Sequence, residues 1–154
     1  PAVTVSKVQD LDVVAVGQER TYTVTYENTG TIDADIRVGD VSFFYSDAAN
    51  QNSLSLPYSQ SYECDATAST MDCPGINGAV SSENNFVYFW ASEQVTIPAG
   101  KKLVLRAKLT IDAGACGATA GDAYVVNKAF AMLPSGGVFA NGEAELSESA
   151  VGRV

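Results

Sequence analysis

The sequence predicts an all-β domain, an antiparallel sandwich of two sheets. Three observations predict it. The stretch Thr21-Tyr22-Thr23-Val24-Thr25-Tyr26 alternates strictly, with Tyr22, Val24 and Tyr26 on one face and Thr21, Thr23 and Thr25 on the other. That period of two is what a half-buried strand requires. Turn signals recur at Asn28-Thr29-Gly30, Gly75-Ile76-Asn77-Gly78, Pro98-Ala99-Gly100, the run 114–121 and Pro134-Ser135-Gly136-Gly137, and they cut the chain into short segments. No segment carries a helical period.

The expected strands follow in order. Residues 2–8 alternate through Val3, Val5 and their polar neighbours, with no charge before Lys7. A short apolar run predicts 12–16, and the alternating stretch after Gly17 predicts 19–28. The next strand spans 32–45 and ends on Phe43, Phe44 and Tyr45, apolar on both faces. A brief strand is expected at 54–58, and a longer one at 85–97 around Phe86-Val87-Tyr88-Phe89-Trp90. In 101–112, Leu103, Leu105, Ala107, Leu109 and Ile111 face inward, while Val104, Arg106, Lys108 and Thr110 face out. The segment 122–133 alternates less cleanly, with Asn127 between Val125 and Ala129, and 138–151 closes the series. The whole chain, 1–154, reads as one domain, and 46–84 as a long inserted loop.

At 154 residues the chain is long enough to bury a core, and its 46% hydrophobic content suits a folded protein. Eighteen acidic residues against nine basic give a net charge of −9. That charge repels phosphate backbones and anionic headgroups, which excludes nucleic acid and lipid surfaces as expected partners. No apolar run is long enough to span a membrane. A chain that begins at Pro1, not Met, is expected to be a processed secreted protein or a segment of a longer one.

Cysteine usage agrees with export. Cys64 and Cys73 flank a polar loop, and a disulfide across it would restrain that loop by roughly 2–3 kcal/mol. Zinc is the rival reading, but it needs four ligands and the chain has no histidine. Cys116 is left over, either a small buried thiol or a cross-link to a neighbouring chain.

The lack of histidine also excludes Ser-His-Asp and Cys-His catalysis. No phosphate loop, nucleophile elbow or dinucleotide fingerprint occurs. Neither an enzyme nor a cofactor is expected. Asp33 and Asp35, like Asp10 and Asp12, place two carboxylates on one face of an extended chain. Such a pair is a candidate calcium clamp, or more simply a solvated edge that discourages sheet aggregation. Phe86, Tyr88, Phe89 and Trp90 give their strand two apolar faces. One face then needs cover, from the 46–84 insertion or a partner, or else serves as a carbohydrate platform.

Two pieces of the chain resemble the bacterial and archaeal "conserved repeat" domain, known as domain of unknown function eleven. The first is Gly17-x-x-x-Thr21-Tyr22-Thr23-Val24-x-x-x-Asn28-Thr29-Gly30 with Ala34-Asp35-Ile36-Arg37-Val38. The second is Ile97-Pro98-Ala99-Gly100, the strand Leu103 to Ile111, Ala120-Gly121 and Val126-Asn127-Lys128-Ala129. With Val3 to Lys7 as first strand they frame nearly the whole chain, although Gly39-Asp40-Val41-Ser42-Phe43 stands where the usual Asp-x-x-Pro would be. The resemblance implies an immunoglobulin-like or jelly-roll sandwich on a cell surface. More loosely, the chain resembles matrix-fibre subunits of the TasA and camelysin type and archaeal bundling pili.

That looser resemblance implies an extracellular filament subunit whose partners are copies of itself, alongside other surface or matrix components. Its N-terminal strand, Ala2, Val3, Thr4, Val5, Ser6, Lys7 and Val8 within residues 1–9, would complete a neighbour's sheet. The simpler expectation is that this strand pairs within its own sandwich, as in a spacer or adhesion module of a larger surface protein. Surface sandwiches of Gram-positive type also join a strand lysine to an asparagine, helped by a buried carboxylate. Lys7 and Lys128 are the lysines to consider, with Asn28, Asn127 and Asn141 as acceptors and Glu27 or Glu143 as the acid. Nothing in the spacing requires that bond, and an exposed strand lysine is the default. Asn28 is expected to cap the turn with Gly30, and Asn127 to bond backbone within the core.

Overall fold

A computed structural model describes residues 1–13, 17–45, 58–75, 78–82, 86–90, 94–111, 124–134, 136–143 and 145–153. Among these described residues ten strands follow in chain order: β1 Val3–Gln9, β2 Glu19–Asn28, β3 Ala34–Tyr45, β4 Tyr58–Cys64, β5 Gly78–Ser82, β6 Phe86–Trp90, β7 Val95–Ile97, β8 Lys102–Ile111, β9 Tyr124–Met132 and β10 Glu145–Arg153. They form two antiparallel sheets. One has the order β1-β2-β8-β4-β5; the other runs β10-β9-β3-β6, with β7 also on β3.

Alternation explains how each strand settles. On β2, Tyr22, Val24 and Tyr26 are buried. On β8 the inward row is Leu103, Leu105, Ala107, Leu109 and Ile111, all buried, as the pattern requires. Together with Val3, Ala34, Ile36, Val38, Val95, Ile97, Ala129, Ala131 and Phe139, the upper part of these rows makes the hydrophobic cluster between the sheets. Burial of such side chains is the main favourable term in folding, at roughly 1.5–3 kcal/mol for a large aliphatic or aromatic residue.

Four expectations change. The span 46–84 is not all loop, because Tyr58–Cys64 pairs β8 from Tyr58↔Ile111 to Cys64↔Leu105, and Gly78–Ser82 pairs β4 in turn. Buried Tyr58, Gln60 and Tyr62 alternate with more exposed neighbours, so β4 is a core strand with few aliphatic residues. The expected strand 85–97 is two strands: β6 pairs Phe43 to Gly39, and β7 pairs Ile36 to Ala34, consecutive along one edge of β3. Val104, expected to face solvent, is buried. The disulfide loop lies beside it, with Asp65 N–H donating to Val104 O at 2.8 Å and Ser69 Oγ accepting from Val104 N at 2.9 Å. The strand expected at 12–16 falls mostly outside the described residues, and 138–143 precedes β10 instead of belonging to it.

The chain ends stand at opposite ends of the sandwich. Ala140 N–H donates to Pro1 O at 2.8 Å, so β1 starts beside the segment that leads into β10. A shallow cleft lined by Val3, Thr4, Val5, Glu145 and Ser147 shows the two strands leaving that end together. Arg153 closes β10 opposite Tyr124, which is itself opposite Tyr45, at the far end.

A buried polar cluster as the candidate functional site

The alternation that builds the core also carries polar residues into it. On β1, Val3 and Val5 turn inward, and two residues on so does Lys7; Thr4, Ser6 and Val8 face solvent. The inward row of β3 is Ala34, Ile36, Val38, Asp40, Ser42 and Phe44, all buried. That of β9 is Val125, Asn127, Ala129 and Ala131, and that of β4 includes Gln60. Register places Ser42 opposite Asn127, so the polar members meet at one level, below the hydrophobic cluster.

Lys7 Nζ lies 3.1 Å from Asp40 Oδ2, with the two side chains 0% and 7% exposed. The same ammonium sits over the Tyr22 ring, 4.6 Å from its centroid, within cation–π range. Asp40 Oδ1 accepts from Gln60 Nε2 at 3.3 Å and from Asn127 Nδ2. Asn127 Nδ2 also donates to Ser42 Oγ at 2.8 Å, and Ser42 Oγ to Gln60 Oε1 at 3.2 Å. Gln60 Nε2 reaches the Tyr62 hydroxyl as well. Asn127 Oδ1 is buried without a hydrogen-bond partner.

Burial pushes Lys7 below the ordinary lysine value, against the pull of Asp40. Burial likewise raises the Asp40 carboxyl, against Lys7, Asn127 and Gln60. Desolvation outweighs attraction on both partners. The interior therefore works against the charged form of each group. Tyr22 is raised by burial to about 12, and burial raises Tyr26 and Tyr62 too, so these phenols keep their protons.

The other sequence-derived candidates stand elsewhere. Lys7 is not on an exposed face, and the carboxylate beside it is Asp40; Glu27 and Glu143 are exposed. Lys128 pairs with Glu145 at 2.8 Å on a half-exposed surface. Asn28 caps its turn as expected, its Oδ1 accepting from Gly30 N–H at 2.9 Å while Nδ2 donates to Ile32 O and Ile97 O. Asn141 accepts from Glu143 N–H in a turn. Asn127 bonds side chains where backbone was expected.

Asp33 accepts from Ala99 N–H and Asp35 from Thr96 Oγ1. Asp10 accepts from Thr21 N–H and Asp12 from Gln9 Nε2. Among the described residues no three metal-ligating side chains gather. Cys64 and Cys73 form a disulfide with Cα atoms 5.8 Å apart. Cys116 lies outside the described residues, and Phe86, Tyr88, Phe89 and Trp90 are placed by backbone alone, on the β6 edge of the second sheet. Of Ala2 to Val8, Ala2 precedes β1 and the rest lie on it, and β1 pairs its own β2 from Val3↔Asn28 to Gln9↔Tyr22.

Sequence reasoning missed Asp40. The signal was its phase: it continues the row Ala34, Ile36, Val38, as Lys7 continues Val3 and Val5. A polar residue in an apolar row is a buried polar residue, and buried polar residues need partners.

No family model and no curated protein matches the chain. Solved structures do. AvmM, which catalyses macrocyclization in alchivemycin A biosynthesis, matches with a TM-score of 0.59 at 10% identity, over 99% of this chain and 88% of that one. Spo0M, a sporulation control protein from Bacillus subtilis, matches with a TM-score of 0.52 at 16% identity, over 100% of this chain. The chain spans about half of Spo0M, 49% of its length. BcpA, the major pilin subunit of Bacillus cereus, matches at 0.45 and 11% identity, over 98% of this chain and 40% of that one, a likeness too weak to carry weight. At these identities the likeness shows an antiparallel, immunoglobulin-like sandwich fold and nothing of function.

Proposed function

We propose that the chain is a structural module of an extracellular cell-surface fibre, joined in series with copies of itself. One observation carries the reading: the polypeptide arrives at one end of the sandwich, beside Ala140, and leaves at the other, beside Tyr124. Modules built that way add end to end without turning back on themselves, and a head-to-tail contact that does not close gives a fibre. The mode of joining proposed is exchange of the N-terminal strand. β1 is an edge strand held by a single ladder to β2, so the matching strand of a neighbour fits its slot without rethreading the chain. This reading gives the chain no turnover of a soluble substrate.

A second reading has its own support. Lys7 is anchored inside its own sandwich, which favours a spacer or adhesion module within a longer surface protein, related to the "conserved repeat" domains. Negative-stain microscopy of the concentrated chain separates the two. Fibres that vanish when residues 1–9 are deleted, with the deleted strand rebinding as a peptide, are expected for strand exchange. Discrete monomers at high concentration leave the spacer reading. Antibody labelling of intact cells tests both, since a chain found only inside the cell overturns them together.

A further inference from the structure

We infer that Lys7 and Asn127 become joined by an amide bond, formed within the chain by attack of Lys7 Nζ on the Asn127 side-chain carbonyl carbon while Asp40 moves the protons. Three groups needed for that reaction converge. Nucleophile and electrophile each touch a different oxygen of one carboxyl group, Lys7 on Oδ2 and Asn127 on Oδ1. They come from strands of different sheets, β1 and β9, which approach each other across the sandwich. Holding both reactants on one carboxyl group replaces a bimolecular encounter with an intramolecular one, the largest advantage a folded chain can give such a reaction.

The direction of both pKa shifts also suits it. An ammonium cannot attack a carbonyl, and an ionised carboxylate cannot donate to one. The dry interior opposes both charges, as the directions of the two shifts show. The void beside Asp40 is about 10 Å³ and lined by Val24, Tyr26, Val38, Leu105 and Ala107, at the lower limit for one water. Hydrolysis has little to draw on. The two ends of an amide side chain share one outline, and a half-turn of the Asn127 amide presents its unpartnered Oδ1 to the Asp40 acid proton.

The atoms balance without a co-reactant. Lys7 Nζ forms a bond to Asn127 Cγ as Asp40 protonates the carbonyl oxygen. Asp40 then takes a proton from Nζ and delivers it to Nδ2. The Cγ–Nδ2 bond breaks, ammonia leaves, and the carbonyl re-forms as Asp40 recovers its proton. The product replaces a buried amine and a buried primary amide with one secondary amide, whose N–H is left against Asp40. That accounts for a fully buried lysine on a strand where methionine would pack at lower desolvation cost.

Intact-mass measurement of the denatured full chain decides the matter. The expected mass falls short of the sequence mass, corrected for the disulfide, by one ammonia. Trypsin is expected to leave residues 1–20 linked to residues 109–128, uncut at Lys7. Lys7→Arg and Asn127→Ala are expected to show the full mass. Asp40→Asn, which keeps the side-chain volume, is expected to slow bond formation by about a hundredfold or more. A folded wild-type chain that keeps its full mass on long incubation overturns the bond, and this holds even if the variants fail to fold. Linked peptide in folded Asp40→Asn at the wild-type rate overturns the role of Asp40. A covalent ladder of oligomers carrying the same linked peptides overturns the intrachain form and places the bond between copies. An intrachain bond holds β1 in its own sandwich, so it goes with the spacer form of the proposed function and not with strand exchange; bond and surface role still fail separately, because the mass is read on the purified chain and the role on cells and fibres.

Discussion

The interior of this sandwich has two levels built on opposite rules. The upper level, around Ile36, Val38, Ile97, Leu103 and Ala131, is packed from apolar side chains. The level beneath it holds Lys7, Asp40, Ser42, Gln60 and Asn127 in one hydrogen-bonded group. Both are reached by the same strands with the same period. The upper level depends on volume, and a side chain of similar size can replace another there. The lower level depends on partners, and losing one member leaves buried polar groups of its neighbours short of a hydrogen bond. One core can thus be tolerant and intolerant within the length of a single strand.

The sharpest way to break that contrast is Asp40→Ala. It strands the Lys7 amine and takes one partner each from the Gln60 and Asn127 amides, and a loss of about 3–5 kcal/mol is expected in urea unfolding. The double variant Lys7→Met with Asp40→Leu removes both titratable groups and is expected to be more stable than Asp40→Ala by most of that amount. Neither chain can form the Lys7–Asn127 bond, so their difference isolates the stranded groups. Equal stability of the two would mean that the lower level is not partner-dependent.

In the upper level Leu103→Ala is expected to cost about 2–5 kcal/mol, but Leu103→Met less than about 1.5 kcal/mol. A methionine as damaging as the alanine would remove the supposed tolerance. Gly39 lies at the boundary between levels, on the opposite face. A Cβ there would stand 2.3 Å from Phe130 Cζ, the residue directly across the ladder. Gly39→Ala is expected to lose about 1–3 kcal/mol by overpacking, and Phe130→Leu is expected to recover part of it in a double-mutant cycle. The smallest effect belongs to the surface. Lys108 and Glu63 meet at 3.2 Å with both side chains substantially exposed, and Lys108→Ala is expected to shift stability by less than about 1 kcal/mol.

How much of this was legible follows the same division. The apolar rows announced themselves: β2 begins and ends at the residues its alternation indicated, and the inward face of β8 is the one its leucines marked. The disulfide and the Asn28 turn were readable because short-range chemistry fixes them. β4 was not, since Tyr58, Gln60 and Tyr62 carry the right period with little aliphatic content, and polarity outweighed phase. Asp40 was hidden for a related reason. Its partners lie 33 residues before it and 87 after it, and no local window contains them. Composition finds the greasy half of a core, whereas the polar half becomes visible only when strands are brought side by side.

The placement of the chain ends has a mechanical consequence. β1 begins at one end and β10 finishes at the other, so a pull on the two ends draws each strand along its own axis. The seven residue pairs of the β1–β2 ladder and the nine of β9–β10 are then strained together in shear, not opened one at a time like a zip. Shear concentrates the resistance of a whole ladder at a single moment of rupture. With Lys7 tied to Asn127, residues between them could not pay out at all, and a stretched array would lengthen only through its linkers, residues 1–6 and the C-terminal segment 128–154 that carries β10.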